Sequence, residues 1–152
     1  MKADGAAAPV TAPADAAAAL RAPEAGPALA PAALPWFREL PRGGAPEPGE
    51  SGWVRGEAGS EREGTRVVLH LRIDAGGTVT DARFQAFGCP HTLAVAAWLS
   101  AQLPGRPVAG LQAGTPGEWA QVLAVPVEKL GRLLRLEDAL QAAVAAGEAL
   151  RR

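Results

Sequence analysis

Residues 66–87 decide most of what this chain can fold into. RVVLHLRID (66–74) alternates, with Val67, Leu69, Leu71 and Ile73 on one face and Val68, His70 and Arg72 on the other. Ala75-Gly76-Gly77 supplies a turn, and TVTDARFQAF (78–87) follows as a second run of the same period. Two period-two runs around a glycine-rich turn make an antiparallel hairpin with one face to bury. Gly88-Cys89-Pro90 then breaks the strand, and proline suits the first turn of a helix. PHTLAVAAWLSAQL continues at helical spacing, with Leu93, Ala96, Ala97 and Leu103 as its stripe, widened by Trp98 and Leu99, until Pro104-Gly105 ends it.

Thr115-Pro116-Gly117-Glu118 has the form of a capping box with proline at the first helical position, which predicts a short helix to about Ala124. After Pro126 a last helix is expected, with Leu130, Leu133, Leu134, Leu140, Ala143 and Val144 facing the core. Upstream, Leu34–Leu40 carries Trp36, Phe37 and Leu40, a helical turn suited to docking on the domain. Gly, Pro and Glu dominate residues 41–64, which read as a long loop interrupted by Trp53 and Val54. Loops of that length in compact domains are often functional; the plainer reading is a flexible linker. The order of elements implies an α+β domain: an antiparallel sheet, the hairpin 66–87 with room for a third strand from the preceding loop, and helices packed on one face.

Residues 1–33 are rich in Ala and Pro without a steady period. Each Pro removes a donor and blocks a helical turn, and few large apolar groups are present to offset ordering entropy. They read as a disordered tail before a domain at 34–152. The 152 residues suffice for one such domain. Fifteen basic and sixteen acidic side chains give a net charge of −1, without the concentrated basic face that nucleic acid or an anionic membrane requires. No apolar run is long enough to span a bilayer, and Asp4, Pro9, Pro13 and Asp15 interrupt any secretory signal, so a cytoplasmic protein is expected.

The one cysteine, Cys89, excludes an internal disulfide framework and any zinc site built from several thiolates. It sits where a strand ends and a helix begins, where free backbone donors and the positive helix end favour a thiolate. The competing reading is a small apolar residue plugging a tight turn. His91, two residues on, either reaches the same pocket or is a solvated or capping residue of the helix start. His70 reads as structural. No Ser/His/Asp order, phosphate loop or clustered metal-ligand spacing is present, and a Cys89 nucleophile would have only His91 as its base, so the chain does not read as an enzyme.

Asp81-Ala82-Arg83-Phe84 followed by Phe87-Gly88-Cys89 resembles the NifU/IscU-type iron–sulfur cluster assembly scaffold family, in which a strand runs to an F-x-G-C turn that opens a helix of small residues. Pro126-Val127-Glu128-Lys129-Leu130 is similar to that family's Pro-Pro-Val-Lys-Leu chaperone-recognition segment. Leu136-Glu137-Asp138-Ala139 is similar to its Ala-Glu-Asp-Ala, and Leu40-Pro41-Arg42 to its Asn-Pro-Arg. The resemblance covers roughly residues 36–150. It implies a cluster or iron as cargo, a cysteine desulfurase or other cluster-assembly proteins as partners, and Pro126, Val127, Glu128 and Lys129 as a partner-binding segment. Glu128 stands where the family keeps Val and Val127 where it keeps the second Pro.

By the same resemblance the family holds its cluster with three cysteines helped by an Asp or His. Cys89 falls on the second cysteine. Glu63 takes the first cysteine's place, Thr65 that of the nearby Asp, and Gly131-Arg132 replace the His-Cys pair. Arginine stays protonated and offers no lone pair, so it cannot ligate iron. The ligands left, Cys89 with Glu63 or His91, are too few for a cluster that normally takes four thiolates or a Cys/His mixture. The expectation is a degenerate scaffold-like protein with at most a transient or shared metal or sulfur site at Cys89, not stably loaded. The alternative is an adaptor that keeps the fold to bind an assembly-machinery protein. Glu63 and Arg132 are expected to pair across the vacated site, and Arg132 to lower the Cys89 pKa.

Overall fold

The computed structural model describes residues 29–150. Most of the tail expected over 1–33 lies outside the described residues, as do residues 151 and 152. Its last five residues are already part of the folded body: Leu29 packs against the core and Ala33 is wholly buried.

Helix α1 (Leu34–Glu39) opens with Pro35 in its first turn and closes at Leu40, whose left-handed backbone sends its N–H back to the Trp36 carbonyl. Trp36 and Phe37 lean on the core and Leu40 is buried in it. The expected long loop over 41–64 contains strand β1 (Trp53–Ser60), so the third strand is real and eight residues long. Gly56, Gly59 and Ser60 weaken the strand signal in the sequence, and pairing with the next strand makes up for it. Strands β2 (Thr65–Ile73) and β3 (Val79–Phe87) form the predicted hairpin. The sheet runs β1-β2-β3, antiparallel throughout, with Gly56 opposite Leu69 and Leu69 opposite Phe84. On the far side of β3, Phe84 exchanges backbone hydrogen bonds with Arg42 and Gly44, and the Arg42 guanidinium meets Asp81 at 2.6 Å.

Helix α2 (Pro90–Ala101) is buried nearly all round, including His91, Thr92 and Ser100, as a helix enclosed by its own domain should be. Trp98, expected to widen the stripe, is partly buried and packs against the core. Helix α3 (Pro116–Leu123) starts with the predicted capping box: the Thr115 hydroxyl accepts from the Glu118 N–H, and the Glu118 carboxylate accepts from the Thr115 N–H at 2.9 Å. A single 3₁₀ turn (Val127–Lys129) leads into α4 (Leu130–Leu150). The buried face of α4 consists of Leu133, Leu136, Ala139, Leu140, Ala143, Val144 and Gly147. Leu134, expected inside, is 47% exposed, because the apolar stripe steps through 133, 136 and 140 and leaves 134 on the opposite side. No described helix is long and apolar enough to cross a membrane.

Helix α4 lies across β1 and β2, and α2 across β3. The approach of α4 is set by two glycines. A Cβ on Gly56 of β1 would run into the α4 backbone at Ala139 and Ala143. On the helix side, a Cβ on Gly147 would meet Ile73 Cδ1 at 2.5 Å and Val108 Cγ2 at 2.9 Å. Helix backbone therefore rests directly on strand backbone. Substituting Gly56→Ala has no flexible side chain to displace, so about 3 kcal/mol or more of stability should be lost. Chemical denaturation of the purified variant checks this, and a loss below about 0.5 kcal/mol would contradict the contact.

Candidate functional site

Cys89 is the N-cap residue of α2, with extended backbone (φ −77°, ψ 164°), and is 3% exposed. Gly88 before it makes room: a side chain there would press on Thr92 at 3.3 Å. Thr92 stands one turn into the helix, and its hydroxyl lies 3.5 Å from the Cys89 sulfur. Burial pushes the thiol's pKa up. The Thr92 hydroxyl and N–H, then the Arg132 guanidinium and the His91 N–H, favour the charged sulfur and outweigh that penalty, holding the pKa below the ordinary thiol value. These donors favour the thiolate for the reason that helix starts attract anions: their N–H groups have no partner within the helix.

The His91 side chain is 1% exposed, so it is neither a solvated nor a surface capping residue. Both of its ring nitrogens are buried without a hydrogen-bond partner. Burial, followed by the neighbouring charges of Lys129 and Arg132, lowers its pKa and keeps it neutral, against a smaller pull from Glu128. His70, read as structural, is buried on the opposite face of the sheet, with Nε2 3.1 Å from Gln85 Oε1.

The last helix brings its first turn to this corner. The Arg132 guanidinium is among the groups that lower the Cys89 pKa, the direction expected of it. The expected partnership of Glu63 with Arg132 is replaced by another: Glu63, in the β1–β2 loop, pairs with Arg135 Nε at 3.4 Å. Arg135 also holds Asp138 at 3.0 Å. The loop and the last helix are thus joined by an ion pair, one helical turn further along than expected, and Arg132 is left to the sulfur. Both arginines, with Glu63, Thr65 and Gly131, line a shallow cleft of about 210 Å³. Pairs this exposed contribute roughly 0–1 kcal/mol each, so their role is to position rather than to stabilise.

Pro126 caps the 3₁₀ turn formed by Val127, Glu128 and Lys129, and Val127 is 74% exposed. Thr92 and Arg135 went unremarked in the sequence. Thr92 was accessible from its spacing, three residues after an N-cap, where side chains return to the cap. Arg135 carried no signal beyond standing one turn after Arg132. Among the described residues, no three His, Cys, Asp or Glu side chains come together as a metal-holding group.

The profile of the family described as "NifU-like N terminal domain" matches residues 41–150. The nitrogen fixation protein NifU of Cereibacter sphaeroides is 40% identical over 94 residues, which cover 61% of this chain and 38% of that protein. The iron–sulfur cluster assembly scaffold protein IscU of Rickettsia prowazekii is 34% identical over 80 residues, covering 51% of this chain and 61% of the relative. The chain thus spans between about two fifths and three fifths of the length of these two relatives. A solved protein of Fervidobacterium islandicum AW-1, named for an iron–sulfur cluster assembly scaffold of the SUF system, superposes with a TM-score of 0.57 at 16% identity, covering 76% of this chain and 95% of that one, a likeness of fold. The match over 41–150 takes in β1 to α4, with Cys89 and Arg132 between its bounds: the chain belongs to the NifU-like N-terminal domain family.

Proposed function

We propose that the chain works in iron–sulfur cluster assembly as a scaffold-fold protein with a degenerate site. Cys89 offers one activated thiolate to a metal or sulfur atom shared with a partner, and the chain alone does not cage a cluster. The observation that carries this reading is a single free, buried cysteine whose charged form is favoured by Thr92 and by the Arg132 guanidinium. A guanidinium stays protonated and repels a cation, so iron could approach this thiolate only by displacing it. The donor set argues the same way: one thiolate, a buried neutral imidazole of unpartnered nitrogens, and a Glu63 carboxylate engaged by Arg135. Such a set does not fit a cluster that normally takes four thiolate or imidazole ligands. Family membership supports the assembly context, and a cysteine desulfurase that presents sulfur to the thiolate is the partner this chemistry calls for. The second reading, an adaptor that binds an assembly protein without handling metal or sulfur, draws on the absence of a metal-holding group among the described residues.

A degenerate scaffold should remain free of a stable cluster after anaerobic incubation with iron and sulfide, while retaining weak iron or sulfur binding that disappears in Cys89→Ala. Visible absorbance and bound-iron analysis check this. No iron or sulfur binding by the wild-type chain would instead support the adaptor. An ultraviolet titration of the thiolate, with Cys89→Ala as the blank, should give a midpoint below the ordinary thiol value. That midpoint should rise in Arg132→Gln, because the group that favours the charged form is lost. An unchanged midpoint would remove Arg132 from the site.

A further inference from the structure

His91 leaves two polar atoms unaccounted for. Both ring nitrogens are buried without a hydrogen-bond partner, in a helix whose other buried side chains are mostly apolar: Leu93, Ala94, Val95, Ala96, Ala97 and Leu99. A buried polar group in that state costs stability, and an apolar side chain would suit the position better. Proteins keep such groups where a ligand or a reacting atom completes them. The imidazole stands in the first turn of α2, two residues from Cys89, and its own backbone N–H is among the groups that favour charge on the sulfur. The Arg132 guanidinium acts on both side chains, and Lys129 and Glu128 act on the imidazole as well. Thiol and imidazole thus share one corner, bounded by the start of α2, the 3₁₀ turn and the first turn of α4. Two of the three charges there are positive, which disfavours a cation as the missing partner and favours an anion. The cleft lined by Thr65, Gly131 and Arg132 reaches this corner from outside, and a side chain at Gly131 would meet nothing within 4 Å.

We propose that His91 is the binding residue for a second sulfur carried on Cys89: once the thiolate has accepted a sulfur atom from a persulfide donor, the imidazole hydrogen-bonds the outer sulfur of the Cys89 persulfide. This rests on the sulfur-accepting reading above and adds the group that retains the cargo. The transfer is an exchange of one S–S bond for another. Cys89 Sγ attacks the outer sulfur of R–S–SH, the new Sγ–S bond forms as the donor's S–S bond breaks, and the electron pair leaves on the donor as R–S⁻. The hydrogen stays on the transferred sulfur, and no further oxidant or reductant is consumed. The new bond, about 2 Å long, moves the reactive atom one bond outward from the donors that serve Sγ, so the outer sulfur needs a partner of its own. A neutral imidazole has one N–H and one lone pair, so it donates to a charged outer sulfur and accepts from a protonated one.

The lifetime of the persulfide tests this. The full chain is treated anaerobically with glutathione persulfide, freed of it, and exposed to a fixed concentration of a small thiol. Alkylation and mass spectrometry follow the persulfide as it decays, with Cys89→Ala as the blank. His91→Leu should shorten the lifetime about tenfold or more, the loss of one hydrogen bond to a charged atom. His91→Gln, which keeps a donor and an acceptor, should restore most of it. The melting temperature of the untreated chain should not fall in His91→Leu, because two unpaired polar atoms are removed. A lifetime unchanged in His91→Leu, or shortened there and not restored by His91→Gln, would overturn the proposal and leave the sulfur-accepting reading standing. A clear fall in melting temperature in His91→Leu would show an imidazole already partnered, by buried water, and would overturn it too. No persulfide on the wild-type chain, under conditions that load a free cysteine peptide, would overturn the sulfur-accepting reading and this proposal with it.

Discussion

The backbone contact between α4 and Gly56 is the constraint from which the rest of the structure follows. A long helix seated on a strand without side chains between them has one available height and little freedom to slide. Its depth is fixed again near its C-terminus by Gly147 against Ile73 and Val108. With α4 so placed, its first turn must arrive at the N-terminus of α2. Arg132 therefore meets Cys89, and Arg135 meets Glu63 in the β1–β2 loop. The chemistry of the site is thus a consequence of packing two or more turns away from it.

At that corner, three kinds of donor converge on one sulfur: a hydroxyl, two backbone N–H groups and a guanidinium. Each favours negative charge on the sulfur, and neither the N–H groups nor the guanidinium has a lone pair to offer a metal. These groups favour the charged form of a buried thiol, which is a costly state without such donors. On the function proposed above, a fold shared with relatives named as cluster scaffolds presents here a single sulfur. Handing that sulfur to a shared site fits this arrangement better than enclosing a cluster does.

Much of this was legible in the residues. The alternation in 66–87 and the break at Gly88-Cys89-Pro90 specify the hairpin and the helix start because both are local patterns with one physical reading. The capping box at Thr115 was equally explicit. Strand β1 was obscured by Gly56 and Gly59, which lower strand propensity yet are needed there: the first for α4's approach, the second for a left-handed turn at φ +80°. Leu134 misled because leucines at 133 and 134 cannot both face the core, and periodicity alone does not choose between them. The ion pair of Glu63 lay beyond sequence reasoning for a similar reason. Arg132 and Arg135 both face the loop, and only the three-dimensional path of α4 assigns one to the sulfur and the other to the carboxylate.

The central claim, that a scaffold fold has exchanged cluster caging for a solitary arginine-bound thiolate, is tested most directly by the composition of the native protein. Iron and acid-labile sulfide should be measured on the chain purified anaerobically from its own cell. The account predicts amounts far below one cluster per chain. Stoichiometric iron and sulfide on every chain, giving a brown protein, would contradict it.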